Sequence, residues 1–334
     1  MPQNKEAIME EFSGVRCVNC PAGHQVIDQI FATNPTGFHI VTFMPNNSSY
    51  TPPYAGDPDL QRSYPAAYYS TPYCGNSRFM PSAFINRREW SSGAKLSSRT
   101  LWANAVNTII NEPSPLNVGV YGYYNETTMM LEITVEVYYT STVTDQHSLY
   151  VTLAESGIMT QQSGASGQYE QKHVFREAFT GQWGDAIATT VQGDLHTYTF
   201  TFDNSTTNYD MSQAEVMAYV ENKTNEEIVS GFGNDVSSAP PVAVAPAQDL
   251  NVGVFPNPFS DATAIVYNLN NTSEVSLSLT DLTGKQVTNI DLGEQATGEH
   301  RFDLNVSEQG LASGIYIMQL RAGEQVATQR LAVQ

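Results

Sequence analysis

The chain has 334 residues, enough for two or three domains, and its 41% hydrophobic content can furnish their cores. Lys plus Arg number 15 against 34 Asp plus Glu, a formal charge of −19, so no cationic cluster exists for nucleic acid or anionic lipid. Charged residues make up only 15%, which leaves the surface to Ser, Thr, Asn, Gln and Tyr, a mixture suited to strands and turns.

The opening residues, Met1-Pro2-Gln3-Asn4-Lys5-Glu6, carry no signal-peptide core, so export would imply a leader already removed from this sequence. No later apolar run reaches the roughly 18 residues of a membrane helix. Ala7–Phe12 reads as a strand, Val18–Ala32 as a helix with Ile27, Ile30 and Phe31 at helical spacing, and Phe38–Phe43 as a second strand. Together they predict a βαβ unit. The Pro/Tyr-rich stretch 45–73 is longer than an ordinary loop and has room for a short helix near Asp59–Tyr69. A further strand over Ser82–Asn86 and a closing helix over Leu96–Ile110 complete an α/β unit spanning residues 1–115.

Beyond Glu112-Pro113-Ser114-Pro115 the hydrophobic period becomes two. Met129–Tyr139, Leu149–Leu153, Tyr198–Phe202, Met211–Asn222 and Glu227–Gly233 predict an antiparallel sandwich over 116–238. The stretch 239–246 lacks charge and is rich in Pro and Ala, so 239–250 reads as an extended linker. Strands over Ala264–Leu269, Val275–Leu279, Gly298–Leu304, Ile315–Leu320 and Gln325–Val333, with a hairpin turn at Thr283-Gly284-Lys285, predict a second sandwich over 251–334. The fold class is therefore multidomain, an α/β unit followed by two antiparallel β-sandwiches.

Cys17-Val18-Asn19-Cys20 follows a strand and opens a helix inside the βαβ pattern, the setting of a thioredoxin-like redox site. A thiolate there gains from unpaired backbone N–H groups and the helix dipole. The spacing lets the second sulfur resolve a mixed disulfide, so Cys17 would be the nucleophile and Cys20 the resolving thiol. Arg16 adds a cation beside Cys17, which Glu10 and Glu11 oppose. Met80-Pro81 stands before a strand, where thioredoxin folds place a cis-proline facing the cysteines, so Pro81 joins the candidate site. Two features weigh against catalysis: no Trp precedes Cys17, and Pro21 follows Cys20 where many oxidoreductases carry a basic residue. A local structural Cys17–Cys20 disulfide and a redox pair both remain open. A zinc site of Cys17, Cys20, His24 and Cys74 lacks the spacing of a known finger, so no metal is expected. Cys74 reads as a free, loop-packed thiol. His39 reads as a core histidine; His173 and Arg176 with Trp183 could form a small polar patch, but packing and hydrogen bonding in the sandwich is the stronger reading. The tyrosines of 50–73 could stack on carbohydrate or peptide, but such loops more often pack down. No nucleophile–His–acid set, phosphate loop or carboxylate pair stands out, and no cofactor is expected.

Two resemblances rest on longer stretches. Val254-Phe255-Pro256-Asn257-Pro258-Phe259, Asp281-Leu282-Thr283-Gly284-Lys285, Leu311-Ala312-Ser313-Gly314-Ile315-Tyr316 and Gln329-Arg330-Leu331-Ala332-Val333 occur in that order over 250–334. They resemble the type A sorting domain of the Bacteroidota type IX secretion system. That implies recognition of residues 251–334 by the outer-membrane translocon, with Pro256, Asn257, Pro258, Gly284, Lys285, Gly314, Tyr316 and Arg330 as the motif. Glu10–His24, Phe84-Ile85-Asn86-Arg87, His173-Val174-Phe175-Arg176 and Gly181-Gln182-Trp183-Gly184 resemble the Omp 28-related outer membrane protein family of Bacteroidota over residues 7–235. This resemblance implies a thioredoxin-like domain followed by a β-sandwich, without a settled activity. No barrel-type strand set is visible, so a secreted or cell-surface protein is expected. Its role would be that of a binding or structural module, with an extracytoplasmic thiol–disulfide oxidoreductase as the alternative.

Overall fold

The computed structural model describes residues 3–75, 78–91, 93–238, 250, 252–269, 271–282, 284–323 and 325–334, so the expected linker lies almost wholly outside the described residues. In chain order the elements begin with β1 (Ala7–Phe12), α1 (Cys20–Thr33), β2 (Phe38–Phe43), α2 (Tyr64–Tyr68), α3 (Thr71–Cys74), β3 (Ser82–Ile85) and α4 (Arg99–Ile109). The middle of the chain supplies β4 (Leu116–Asn125), β5 (Met130–Tyr139), β6 (His147–Glu155), β7 (Ile158–Gln161), β8 (Gln168–Gln171), β9 (Val174–Ala178) and β10 (Asp185–Ala186). It continues with β11 (Leu195–Asp203), β12 (Ala214–Asn222) and β13 (Glu227–Asp235). The remainder is β14 (Gly253–Phe255), β15 (Ala262–Leu269), β16 (Ser273–Asp281), β17 (Gln286–Gln295), β18 (Gly298–Asn305), α5 (Val306–Gln309), β19 (Gly314–Ala322) and β20 (Gln325–Val333). The protein is thus a mostly β, multidomain chain with few helices. Among the described residues no helix is long and apolar enough to cross a membrane.

The βαβ unit forms as the periodicity predicts: β1 and β2 are parallel, with Ala7 opposite Phe38 and Phe12 opposite Phe43. α1 buries Cys20, Gly23, Ile27 and Ile30, and α4 buries Trp102, Ala105, Val106 and Ile109, so each turns one apolar stripe inward. These stripes meet Ala7, Met9, Ile40 and Ile85 on one face of the sheet.

The sheet does not stop at the end of this unit. Its order is β13-β12-β6-β9-β2-β1-β3, with β10 alongside β6, so strands from both sides of position 115 belong to one sheet. β9 makes the join, since Val174 pairs with Thr42 of β2 on one side and Glu155 of β6 on the other. Because successive side chains alternate between faces, one register serves two layers. Leu149, Val151, Val216, Ala218 and Val220 pack against the β11-β5-β4 sheet. Tyr150, Met217 and Tyr219 point the other way and share a core with Ile8, Phe12, Phe43 and Phe84. The Tyr-rich stretch covers that core, with Tyr68 and Tyr69 buried in it.

Residues 250–334 form a separate core between a β14-β15-β18 sheet and a β17-β16-β19-β20 sheet. Of the expected turn, Thr283 lies outside the described residues; beside it Gly284 N–H bonds Asp281 O at 3.0 Å and Gly284 has φ +83°.

Candidate functional site

Cys17 and Cys20 form a disulfide across the entrance to α1, where Cys20 is the first helical residue. Pro21 sits in the first turn, where its missing N–H costs nothing. The Met80–Pro81 peptide is cis, and Pro81 lies over Gly23, where an added Cβ would be 2.9 Å from its ring. The three candidate residues therefore gather around the start of α1, with Gly23 admitting the proline.

Access is another matter. Cys17 is 2% and Cys20 0% exposed, while Val18 between them is 64% exposed. The β7–β8 hairpin and the turn joining its strands lie over the pair. Gln162 Nε2 donates to Cys17 O at 3.0 Å and Gly14 O at 3.2 Å, and Gln171 Nε2 holds Gln162 Oε1 at 2.9 Å. Ser163 N–H bonds Val15 O at 2.8 Å, and Tyr54 OH meets Ser163 Oγ at 2.7 Å. Gly164 has φ +85°, and a Cβ there would collide with the Val18 carbonyl. The hairpin is thus sealed onto the backbone of the disulfide loop.

The charges expected beside Cys17 are directed elsewhere. Arg16 donates to Pro52 O and Pro53 O, both at 2.8 Å, with its guanidinium 4.4 Å over the Tyr54 ring. Glu10 and Glu11 point to opposite faces of β1. Glu11, fully buried on the helix side, accepts from Thr42 Oγ1 at 3.0 Å and lies 3.4 Å from His24 Nε2. His24 also meets Ser13 Oγ at 3.0 Å and Tyr169 OH of the hairpin at 2.7 Å. Burial alone would lower the His24 pKa, but the charge and hydrogen bond of Glu11 outweigh it and raise it.

Glu10 enters the other core and receives Arg87 as a fork, Nε to Oε2 at 2.7 Å and Nη2 to Oε1 at 2.5 Å. Arg87 Nη1 bonds Glu221 of β12, and the guanidinium lies 4.6 Å and 4.7 Å from the Tyr68 and Tyr150 ring centroids. Tyr150 OH donates to Glu221 at 2.8 Å and Tyr219 OH to Glu10 at 3.0 Å. Asn86, at φ +47°, accepts from Ile8 N–H at 2.8 Å and donates to Glu6 O and Ile228 O, both at 3.1 Å. The Phe84–Arg87 segment is therefore a joint between β1 and the strands after residue 214. Nothing in the sequence pairs Arg87 with Glu221; an adjacent Glu-Glu inside an apolar strand was the available signal that buried cations were needed.

The remaining candidates resolve into packing. Cys74 is a buried free thiol donating to Tyr68 O, its pKa pushed up to about 12 by burial. His39 bonds Glu6 at 3.2 Å and lies edge-on to Phe232. His173, Arg176 and Trp183 do not form one patch. His173 pairs with Glu215, Arg176 with Glu155 at 2.7 Å, and Trp183 stacks on Tyr73 while remaining 45% exposed. No group of His, Cys, Asp or Glu among the described residues is arranged to hold a metal.

In the C-terminal unit the Phe255–Pro256 and Asn257–Pro258 peptides are cis, and Asn257 clamps β20 by donating to Arg330 O at 2.6 Å and accepting from Ala332 N–H at 2.8 Å. Tyr316 OH donates to Ala312 O at 2.9 Å and accepts its N–H at 3.1 Å. Lys285, Gly314 and Tyr316 border a cleft of about 430 Å³ whose far wall includes Gln3 and Asn117. Arg330 reaches across to Glu136 at 2.8 Å and Thr197 at 3.3 Å.

Two family models match the chain. Residues 69–232 match the outer membrane protein Omp28 family, and residues 253–334 the secretion system C-terminal sorting domain. The chain thus carries an Omp28 family match in its middle and ends in a sorting domain. The Omp28 match contains the Arg87 joint and the His173–Arg176 segment but begins after Cys17–Cys20. Together the two matches indicate a protein exported by the type IX secretion system to the cell surface or outer membrane. Among solved structures the chain is similar to HBP35 of Porphyromonas gingivalis, at TM-score 0.58 and 14% identity over 99% of each chain, a likeness of fold. A domain of the outer membrane lipoprotein Omp28 from the same organism aligns at TM-score 0.27 and 17% identity, over 37% of this chain and 89% of that one. None of the curated proteins matches this sequence.

Proposed function

We propose that this protein is a surface binding or structural module in which the Cys17–Cys20 disulfide is a staple rather than a working redox centre. In this reading residues 1–115 are thioredoxin-like, 116–238 form a β-sandwich sharing its sheet, 239–250 is the linker, and 251–334 engages the translocon. The observation that carries it is the seal over the disulfide, with both sulfurs in residues no more than 2% exposed and the hairpin bonded to the Cys17 carbonyl. Thiol–disulfide exchange needs in-line access to one sulfur, which this arrangement denies. The opposing observation is the placement of the pair at the start of α1 with Pro81 over Gly23, which supports an oxidoreductase once the hairpin is displaced.

The test is reduction of the folded protein by glutathione together with an insulin-turnover assay. A staple resists the glutathione pool and turns over no insulin. Rapid equilibration with glutathione, or catalytic turnover, would transfer the assignment to the oxidoreductase, with Cys17 and Cys20 in the roles their order gives them.

A further inference from the structure

Between α1, β1, β2 and the hairpin lies a cavity of about 40 Å³ that the disulfide does not use. In this measure one water needs roughly 10–15 Å³, so the space holds about three water-sized groups. Its floor is Glu11, 0% exposed, whose Oε2 is taken by Thr42 while Oε1 has only His24 Nε2, 3.4 Å away, beside it. Ile27 and Ile40 contribute apolar wall, and Tyr169 closes one side. The mouth carries Asp28, Glu170 and Lys172; Lys172 is drawn toward Asp28 at 3.4 Å, and both of those side chains are about half exposed. A carboxylate floor, an apolar waist and an acidic rim match one chemistry: a positively charged tip on a short hydrocarbon stem.

We propose that this cavity binds a primary alkylammonium group, with Glu11 Oε1 as its acceptor. The source is either a small amine or a lysine side chain of a partner protein. Three hydrogens on nitrogen can serve Glu11 Oε1 and the Tyr169 hydroxyl together, and the stem replaces water against Ile27 and Ile40. His24 is the built-in competitor. When protonated it supplies a cation 3.4 Å from the same oxygen, so proton and ammonium compete for Glu11. The other charges facing His24 are Asp28 on its own helix, Glu170, Lys172, and His173, which Glu215 already engages. Binding therefore strengthens as pH rises through the His24 titration. By reciprocity, saturating amine moves that titration to lower pH.

The experiment is an NMR titration of the full chain with n-butylammonium, with n-butanol as the uncharged isostere and Nα-acetyl-lysine-N-methylamide as the peptide-borne tip. Saturable shifts at His24 and Tyr169 are expected with a dissociation constant on the order of 1 mM. Butanol should leave them unmoved, and Glu11→Gln should weaken butylammonium at least about tenfold, the loss of one charge-assisted bond. Saturation by the lysine derivative assigns the site to a protein partner, and saturation by butylammonium alone to a small amine. Absence of saturation by either cation, equal effects of butanol and butylammonium, or unchanged binding to Glu11→Gln overturns the proposal. Should Glu11→Gln unfold, the comparison of butylammonium with butanol on the wild-type chain still decides it.

Discussion

Arg87 shows how much one residue can hold. It is 1% exposed, yet it joins Glu10 and Glu221 and is flanked by the faces of Tyr68 and Tyr150. Removing one partner of a buried ion pair leaves the other charge stranded, at a cost of about 3–5 kcal/mol. Arg87→Met should lower stability by that amount in urea denaturation, and Arg87→Lys should recover only part of it because an ammonium cannot reproduce the fork. His173 gives a pH signature. Burial works against its charge, but Glu215 prevails and raises its pKa above the ordinary value. The stability it contributes is therefore present below the unfolded pKa of about 6.5 and is lost as pH rises through the folded value. His173→Asn should flatten the decline in unfolding midpoint between about pH 6 and 8. His147 is lowered by burial and acts in the opposite sense, so the two must be varied separately. Residue identity was readable for the cysteines because spacing and context mark them. The partners of Arg87 were not, since they lie 77 and 134 positions away.

At the scale of elements, periodicity carried the reading where burial is one-sided. α1, α4, β5, β6 and β12 all appear close to their expected bounds. The β7–β8 hairpin was missed because Ile158–Gln171 is rich in Gln, Ser and Gly and shows no apolar alternation. Its inward residues are polar: Thr160, Gln162 and Gln171 are buried and satisfy one another and the Cys17 loop. Their role exists only in three dimensions, and no period in the sequence encodes it. Gln162→Ala would leave the Cys17 and Gly14 carbonyls without that donor, weakening the seal by about 1–3 kcal/mol. Local opening at that cost should speed reduction of the disulfide by dithiothreitol roughly tenfold or more, with global stability less affected. An unchanged reduction rate would mean that the hairpin does not control access.

For the whole molecule, a mostly β, multidomain chain was legible, whereas the continuity of the sheet across position 115 was not. The change of period near Pro113 marks a change of layer, and β9 carries the hydrogen bonding past it. The C-terminal unit also touches the body. Tyr138, Ile315 and Ala332 are buried together, and Arg330 meets Glu136. Glu136→Arg should lower the thermal unfolding midpoint of the C-terminal unit slightly, and adding Arg330→Glu should restore it by reversing both charges. Deleting residues 251–334 should leave the remainder folded but unsecreted, as read from culture supernatant against cell fractions.

The shared sheet also sets an order of events for the growing chain. β1 and β3 are complete by residue 85, yet one of the two carbonyls that Asn86 serves is at Ile228 and the second carboxylate for Arg87 at Glu221. Pairings across such distances carry a large loop-closure cost and slow folding. A nascent chain that ends before residue 221 holds the Arg87–Glu10 pair without the acceptor for Arg87 Nη1 and with no strand to close over it. Completion of the Asn86 and Arg87 hydrogen bonds therefore waits for β12 and β13. The address for export follows fewer than twenty residues after β13 ends, so folding of the cargo and arrival of its sorting unit fall close together in time.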